Sequence, residues 1–404
     1  MIEGDGSPAL PGLYLHVPFC SEICPYCDFA VRRGGSDRRA QAASFVESVE
    51  AEIRGLCCGE LLPEAPDLAE CVSALVEAPF DTVYLGGGTP SYLPAEDLER
   101  LIDALHRFFH LESDCRVYLE ANPEDVDAEA VASWHRLGVH TLSLGVQSLR
   151  DDRLRILGRR HDPAAARRAV ALAKDAGFAT VSVDLIYGVP GQSLESWDAE
   201  LRDALALGAD HLSLYELEIH ERTVFGKRKA RGEVVELPDA LQSDLFLRTH
   251  EILRQAGWDV YEVSNFARRP EYRSRHNAKY WHHVPYLGLG PSAHSFVADW
   301  RFWNERNEPT WRRLIDDGTS PIMGWEKLPA CAVDLELLML GLRLAGGVDL
   351  DRLRSVDADS FVDRNRRRLE SWSRDGLLTF DNRHLLPSRR GMAVADRLAA
   401  ELEL

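Results

Sequence analysis

Between residues 13 and 217 the sequence repeats one unit: a short apolar run, a polar loop and an amphipathic stretch. Apolar runs at residues 13–17, 82–85, 116–120, 141–145, 180–186 and 211–217 read as strands, with helical patterns between them. This alternation predicts an α/β fold on a parallel sheet, six units long, curling into a partial (β/α)6 barrel. The full eight-unit barrel is the competitor, but two further units of equal clarity are not found. Helix punctuation supports the pattern. Asp162 caps a helix over 163–176, Pro163 suits its first turn, and Gly177 can end it in a left-handed turn. Ser193 opens another, with Trp197, Leu201 and Leu205 on one stripe, and Asp37 caps a helix over 38–55 that buries Phe45, Val46, Val49 and Ile53. Residues 55–79, with Pro63, Pro66 and Pro79, read as an irregular peripheral insertion.

The unusual residues all follow strands. Cys20 to Cys27 come after the first, Gly86-Gly87-Gly88-Thr89-Pro90 after the second, Glu120 to Glu124 after the third, Gly145 to Ser148 after the fourth and Asp184 to Gln192 after the fifth. In parallel sheets and barrels the carboxyl ends of strands gather the binding groups, so one site can draw on all five loops. Triple glycine exposes backbone amides and carbonyls to a ligand, although a tight turn alone would also explain it. Glu120, Gln147 and Asp184 can hydrogen-bond hydroxyl groups, and Arg159 offers a planar fork to a carboxylate.

Three of the eight cysteines, Cys20, Cys24 and Cys27, crowd into one loop. Their spacing suits wrapping round a 4Fe-4S cube better than the paired knuckles of zinc. With no fourth cysteine nearby, one iron stays open to an amine and a carboxylate. Zinc with His16 or Asp28 as fourth ligand, or three buried thiols, are the alternatives. Cys57, Cys58, Cys71, Cys115 and Cys331 read as free thiols of a reducing compartment.

A net charge of −18 and a pI near 5.3 repel phosphate backbones, so no nucleic acid is expected as a partner. The longest basic block, Gly226 to Arg231, reads as a solvated loop. The sequence has no apolar run of membrane-spanning length, and the stretch from Met1 to Gly6 lacks signal-peptide character, so a cytoplasmic protein without a transmembrane segment is expected. Val260 to Asn265 reads as a further strand. Residues 330–404 read as mostly helical with a hairpin at Leu377 to Leu386, a winged-helix-like cap whose Arg343 and Arg366 to Arg368 are interleaved with aspartates. The expected domains are a tail over 1–12, the partial barrel over 13–256, a barrel extension with an aromatic, histidine-rich binding loop over 257–329 and the C-terminal domain over 330–404.

Cys20-x3-Cys24-x-Tyr26-Cys27 resembles the signature of the radical S-adenosylmethionine (SAM) proteins. The run from Leu13 to Cys20, the Gly-Gly-Gly-Thr-Pro loop, Leu144 to Ser148 and Asp184 to Gln192 are similar, over nearly the whole chain, to the oxygen-independent coproporphyrinogen oxidase (HemN-like) superfamily. The resemblance implies that methionine of SAM chelates the open iron and that Tyr14, Gly87, Gly88, Thr89, Glu120, Gln147, Arg159 and Asp184 line the SAM site. Coproporphyrinogen dehydrogenases carry a further cysteine two places after the third; here that position is Phe29, as in HemW-type heme chaperones. His276-Asn277-Ala278-Lys279-Tyr280-Trp281 also resembles the His-Asn-x-x-Tyr-Trp heme motif of those chaperones, which implies heme contacts from His276, Asn277, Tyr280 and Trp281; the guanidinium of Arg273 or Arg275 can pair with propionates. The plain alternative is a loop histidine bonded to backbone while Tyr280 and Trp281 fill a core gap. One departure stands out: the family tends to have glycine before Thr223, and this chain has Arg222. The implied function is a heme chaperone with a 4Fe-4S cluster and exchangeable SAM that passes heme to an unidentified acceptor protein. The alternatives are an oxygen-independent coproporphyrinogen III oxidase and another radical SAM tailoring enzyme.

Overall fold

A computed structural model describes residues 9–404, so residues 1–8 of the expected tail lie outside it. All six expected strands form, as Gly12–Val17, Pro79–Gly87, His110–Ala121, Val139–Gln147, Thr180–Tyr187 and His211–Glu216. The chain divides into two compact units. One holds residues up to Asp184 with Glu218–Val234 and Val284–Lys327; the other holds Leu185–Leu217, Val235–His283 and Leu328–Leu404.

In the first unit the strand Gly12–Val17 pairs parallel with Pro79–Gly87 on one side and Tyr286–Leu289 on the other. Parallel pairing continues from Pro79–Gly87 to His110–Ala121 and on to Val139–Gln147. One face of these strands is apolar: Leu13, Leu15, Val83, Leu85, Leu142 and Leu144 share it by register and are all essentially inaccessible, while Tyr14, Tyr84, Glu120 and Ser143 alternate onto the other face. The helix Arg38–Cys57 starts at Asp37, whose carboxylate accepts from the Ala40 amide, and buries Phe45, Val46, Val49 and Ile53 as its periodicity requires. The helix Pro163–Ala176 is bounded as read, with Asp162 accepting from Ala165 and Gly177 left-handed at φ 84°. Two regions differ from the sequence reading. Residues 55–79 contain a helix, Pro66–Glu77, because Pro66 sits in the first turn, where its missing amide costs nothing, and Leu68, Val72, Leu75 and Val76 bury one stripe. Beyond Tyr286–Leu289 the sheet gains three antiparallel strands, His294–Val297, Trp300–Asn304 and Ile322–Lys327. Glu52 of the first helix anchors this extension, accepting from the Gly290 amide at 2.8 Å and Asn304 Nδ2 at 2.6 Å.

In the second unit the helix Leu194–Leu205 opens with a Ser193–Ser196 capping box and packs against Asp239–Gln255. The fully buried Trp197 donates to Thr249 at 2.8 Å, so the indole adds a satisfied polar bond to its apolar packing. The expected strand at Val260 to Asn265 is interrupted. Asp259–Val260 and Asn265–Ala267 are strands, but between them the buried Glu262 accepts from the Ser264 amide two residues on, which turns the backbone out of the ladder. The C-terminal part combines the helices Ala330–Gly341, Ala358–Arg374 and Ala395–Glu401 with a three-stranded sheet in which His384–Pro387 lies between Val348–Asp349 and Leu378–Phe380. Its core is Leu338, Phe361, Leu369, Trp372, Leu385 and Leu398. Among the described residues no helix is long and apolar enough to cross a membrane.

Candidate functional site

The strand ends of the first unit bring eleven expected site residues onto one polar layer, Cys20, Cys24 and Cys27 together with the eight around them. The cysteine loop is closed by backbone bonds. Arg32 N–H donates to Pro18 O, Gly34 N–H to Cys20 O and Cys27 N–H to Cys24 O, at 2.7, 2.8 and 3.1 Å. His16 Nε2 meets Ala30 O at 2.9 Å while its Nδ1 meets the Tyr14 hydroxyl at 3.0 Å, so this buried imidazole ties the loop's exit back to the strand that launches it.

The sulfurs sit in a shared hydrogen-bond network. The Thr89 hydroxyl donates to Cys20 Sγ at 3.6 Å and accepts from Asn122 Nδ2 at 3.2 Å. Arg159 donates through Nη1 to Cys24 Sγ at 3.5 Å, and through Nη2 to Asn122 Oδ1 at 2.5 Å and Gly145 O at 2.9 Å. Burial pushes the Cys20 thiol up to about 11, with the Thr89 bond pulling the other way, and burial also raises Cys27. Bare thiols in such surroundings hold their protons, and a metal that takes them as thiolates must displace those protons.

The glycine loop needs its glycines. Gly87 has φ 108°, and a Cβ there would come within 2.6 Å of the His16 ring; a Cβ on Gly88 would lie 2.7 Å from Phe19 O and 3.1 Å from Cys20 Sγ. Next to it, Glu120 accepts from the Tyr84 hydroxyl at 2.7 Å. Burial raises its carboxyl to about 7 against that bond, and the Asp184 charge adds to the rise. Asp184 accepts from the Ser143 hydroxyl at 3.1 Å through both oxygens. Gln147 is held at φ 63°, a left-handed conformation that a non-glycine residue seldom adopts and that marks binding loops.

These residues fit a cluster and a charged, hydroxyl-bearing ligand. Two of the three sulfurs already meet donors that would stabilise thiolates, two carboxylates stand on the same layer, and the buried Arg159 Nε has no protein partner. Sequence reasoning missed Asn122, which links Thr89 to Arg159, and Tyr84 and Ser143, which hold the two carboxylates. Strand alternation was the available signal, since Tyr84 and Ser143 lie on strands feeding the chosen loops.

The other expected group is in the second unit, on a helix, Arg275–Trp281, rather than on the expected loop, because the Ser274 side chain caps it by accepting from the Asn277 amide. His276 is buried, with its ring edge-on to Tyr280 and Nε2 at 2.9 Å from the Tyr280 hydroxyl. Burial lowers its pKa to about 3, which leaves a neutral imidazole. Asn277, Tyr280 and Trp281 are half-buried. Arg273 is already committed, because its fork grips Asp259 at 2.6 and 3.0 Å.

Comparison with known proteins gives the family and the fold. The radical SAM superfamily model matches residues 14–204 and the HemN C-terminal domain model residues 335–394. The chain is 34% identical to the heme chaperone HemW of Mycobacterium tuberculosis, over 99% of this chain and 98% of that one. It is 36% identical to HemW of Escherichia coli over 70% of each chain. It is 32% identical to the bovine mitochondrial radical S-adenosyl methionine domain-containing protein 1, over 99% of this chain and 89% of that one. Among solved structures, the coproporphyrinogen III oxidase HemN of Escherichia coli superposes with a TM-score of 0.79 at 21% identity, covering 98% of this chain and 90% of that one, a likeness of fold.

Proposed function

Since the chain belongs to the HemW-type heme chaperones of the radical SAM superfamily, we propose that it holds a 4Fe-4S cluster, binds SAM beside it, and carries heme for transfer to an acceptor protein. The observation that carries this reading is the continuous network from Cys20 Sγ through Thr89, Asn122 and Arg159 to Cys24 Sγ. It gives two sulfurs positioned donors and joins them to the loops expected to hold SAM.

In this reading Cys20, Cys24 and Cys27 hold the cluster as thiolates. Bound SAM supplies the amine and carboxylate of its methionine to the open iron. Gly87, Gly88 and Thr89 bring backbone and hydroxyl groups close to that end of the ligand, because nothing larger than hydrogen fits at Gly88. Arg159 orients the carboxylate, and its unpartnered Nε is the donor still available. Glu120 and Asp184 accept from ribose hydroxyls, held in place by Tyr84 and Ser143. Gln147 lines the same pocket, and Tyr14, its hydroxyl spent on His16, contributes its ring.

Heme is assigned to His276, Asn277, Tyr280 and Trp281. A neutral imidazole is the form that ligates iron, and half-buried aromatic rings can cover a porphyrin face. Ligation through Nε2 requires the Tyr280 hydroxyl to release it. Anaerobic reconstitution followed by iron, sulfide and heme counts tests the whole reading, with about four irons and four sulfides expected per chain. His276→Ala is expected to lose heme affinity and shift the Soret band; unchanged spectra would remove the heme assignment. Catalytic production of protoporphyrinogen would replace the chaperone reading with the oxidase.

A further inference from the structure

The segment 157–162 of the first unit is laced to two site loops by two side chains, of which the reading above uses only Arg159. The other is His161, whose side chain is completely buried although it bears two polar nitrogens. Its Nε2 meets Val146 O at 2.9 Å and its Nδ1 meets Glu124 Oε2 at 3.2 Å. Arg159 meets the neighbouring positions, Gly145 O and Asn122 Oδ1. The two residues therefore grip the same pair of loops side by side.

The protons of this cluster can be counted. A carbonyl only accepts, so Nε2 of His161 carries a hydrogen. A neutral ring would then offer a bare Nδ1, an acceptor facing an acceptor, unless Glu124 kept its own proton. Burial alone would raise the Glu124 carboxyl, but the His161 bond and the Arg159 charge outweigh it and hold the group below the ordinary carboxylate range. Glu124 is thus ionised, and both ring nitrogens of His161 donate, as an imidazolium does. Val146 O, which takes one of those bonds, also closes an unusual turn. It accepts from the Ser148 amide at 2.8 Å across a single residue, and that residue is Gln147 at φ 63°. Three-residue turns of this hand are strained and persist only where the surroundings hold them. With Ser148 on one lone pair and His161 on the other, the carbonyl cannot turn away without losing a charge-assisted bond.

We propose that His161 is a positioning residue for SAM, its ring locking the turn that aims Gln147 into the site, with Glu124 as the brace behind it; the proposal rests on the SAM reading above. His161 acts through the Val146 backbone and not on the ligand. Its contribution is to keep a strained turn in one pose before SAM arrives, so that binding does not have to select that pose from several.

The test is anaerobic calorimetry of SAM with the reconstituted full chain, with iron counted in parallel. A double-mutant cycle with Gln147→Gly accompanies it, because glycine adopts a positive φ freely and removes only the aimed side chain. His161→Ala is expected to lower SAM affinity about tenfold with iron retained, as for a turn that keeps its pose about a tenth of the time. In the Gln147→Gly background the same change is expected to cost less than about twofold. Glu124→Gln is expected to stay within about threefold of the wild type, since the amide can donate to Nδ1 of a neutral ring. In isotope-edited NMR it is also expected to convert one histidine signal from the imidazolium pattern to that of a neutral ring. Should His161→Ala fail to fold, Glu124→Ala opens the clamp from its partly exposed end and carries the same expected loss. SAM affinity indifferent to loss of the clamp, an equal cost of His161→Ala with and without the Gln147 side chain, or a neutral-ring signal in the wild type would each overturn the proposal. Wild-type protein that holds iron but takes up no SAM would instead overturn the SAM reading, and this proposal with it.

Discussion

The two regions assigned to ligands are built in opposite ways. The strand-end layer of the first unit is prepared and open: its donors already meet sulfur, its carboxylates are braced, and one guanidinium nitrogen waits without a partner. The helix Arg275–Trp281 is closed on itself, with His276 buried, neutral and bonded to its own helix neighbour Tyr280. The contrast teaches that a residue inventory does not describe readiness. A prepared site spends its organising energy in folding and binds at once, whereas a closed one must first break an internal bond, which reduces the apparent affinity.

The sharpest way to break this comparison is at the sulfurs. Cys27→Ser is expected to abolish cluster retention, reducing iron from about four per chain to near zero by colorimetric assay. Arg159→Lys comes next. Lysine cannot reach Cys24, Asn122 and Gly145 with one fork, so SAM affinity by calorimetry is expected to fall about 30-fold, in line with the roughly 2 kcal/mol cost of orphaning buried partners of a charged donor. The open site should also titrate. The Glu120 carboxyl ionises near pH 7 in the folded protein, raised from the ordinary carboxylate range, and its ionised form is the better acceptor for ribose hydroxyls. SAM affinity is therefore expected to rise as pH increases toward 7, by up to about tenfold per unit below it, and to level off above; Glu120→Gln should flatten that profile. By the same linkage, the stability that neutral Glu120 contributes is complete below its unfolded pKa and is lost as pH rises through about 7. The smallest effect sharpens the closed side. Tyr280→Phe removes the hydroxyl that ties up His276 Nε2, so heme affinity by absorbance titration is expected to increase a few-fold; a weaker complex would mean that the hydroxyl itself serves heme.

Much of this was legible before the fold was known, for identifiable reasons. Apolar runs bounded by turn residues announced every strand of the repeating unit, since a buried parallel strand has little freedom in composition. The site loops were legible because they interrupt those runs with cysteine, glycine and carboxylate at equivalent positions. The helix Pro66–Glu77 was not, because prolines that look like breakers include one that begins a helix. The antiparallel strands from His294 to Lys327 were hidden because their support comes from Glu52, far away in sequence. Asn122 escaped for a similar reason. Its role lies in reaching Thr89 on one side and Arg159 on the other, which no local pattern records.

That remote support at Glu52 has a practical corollary for dissecting the molecule. Its carboxyl, raised by burial to about 7, takes bonds from Gly290, Asn304 and Trp311, all contributed by the last segment of the first unit. A shortened expression clone stopping after residue 204, where the superfamily match ends, would strand an acid in a dry interior with every one of its donors cut away. Minimal fragments of this protein should therefore be drawn by three-dimensional neighbours, keeping Val284–Lys327 with the amino-terminal strands, and a clone that ignores this is expected to precipitate rather than yield a smaller working piece.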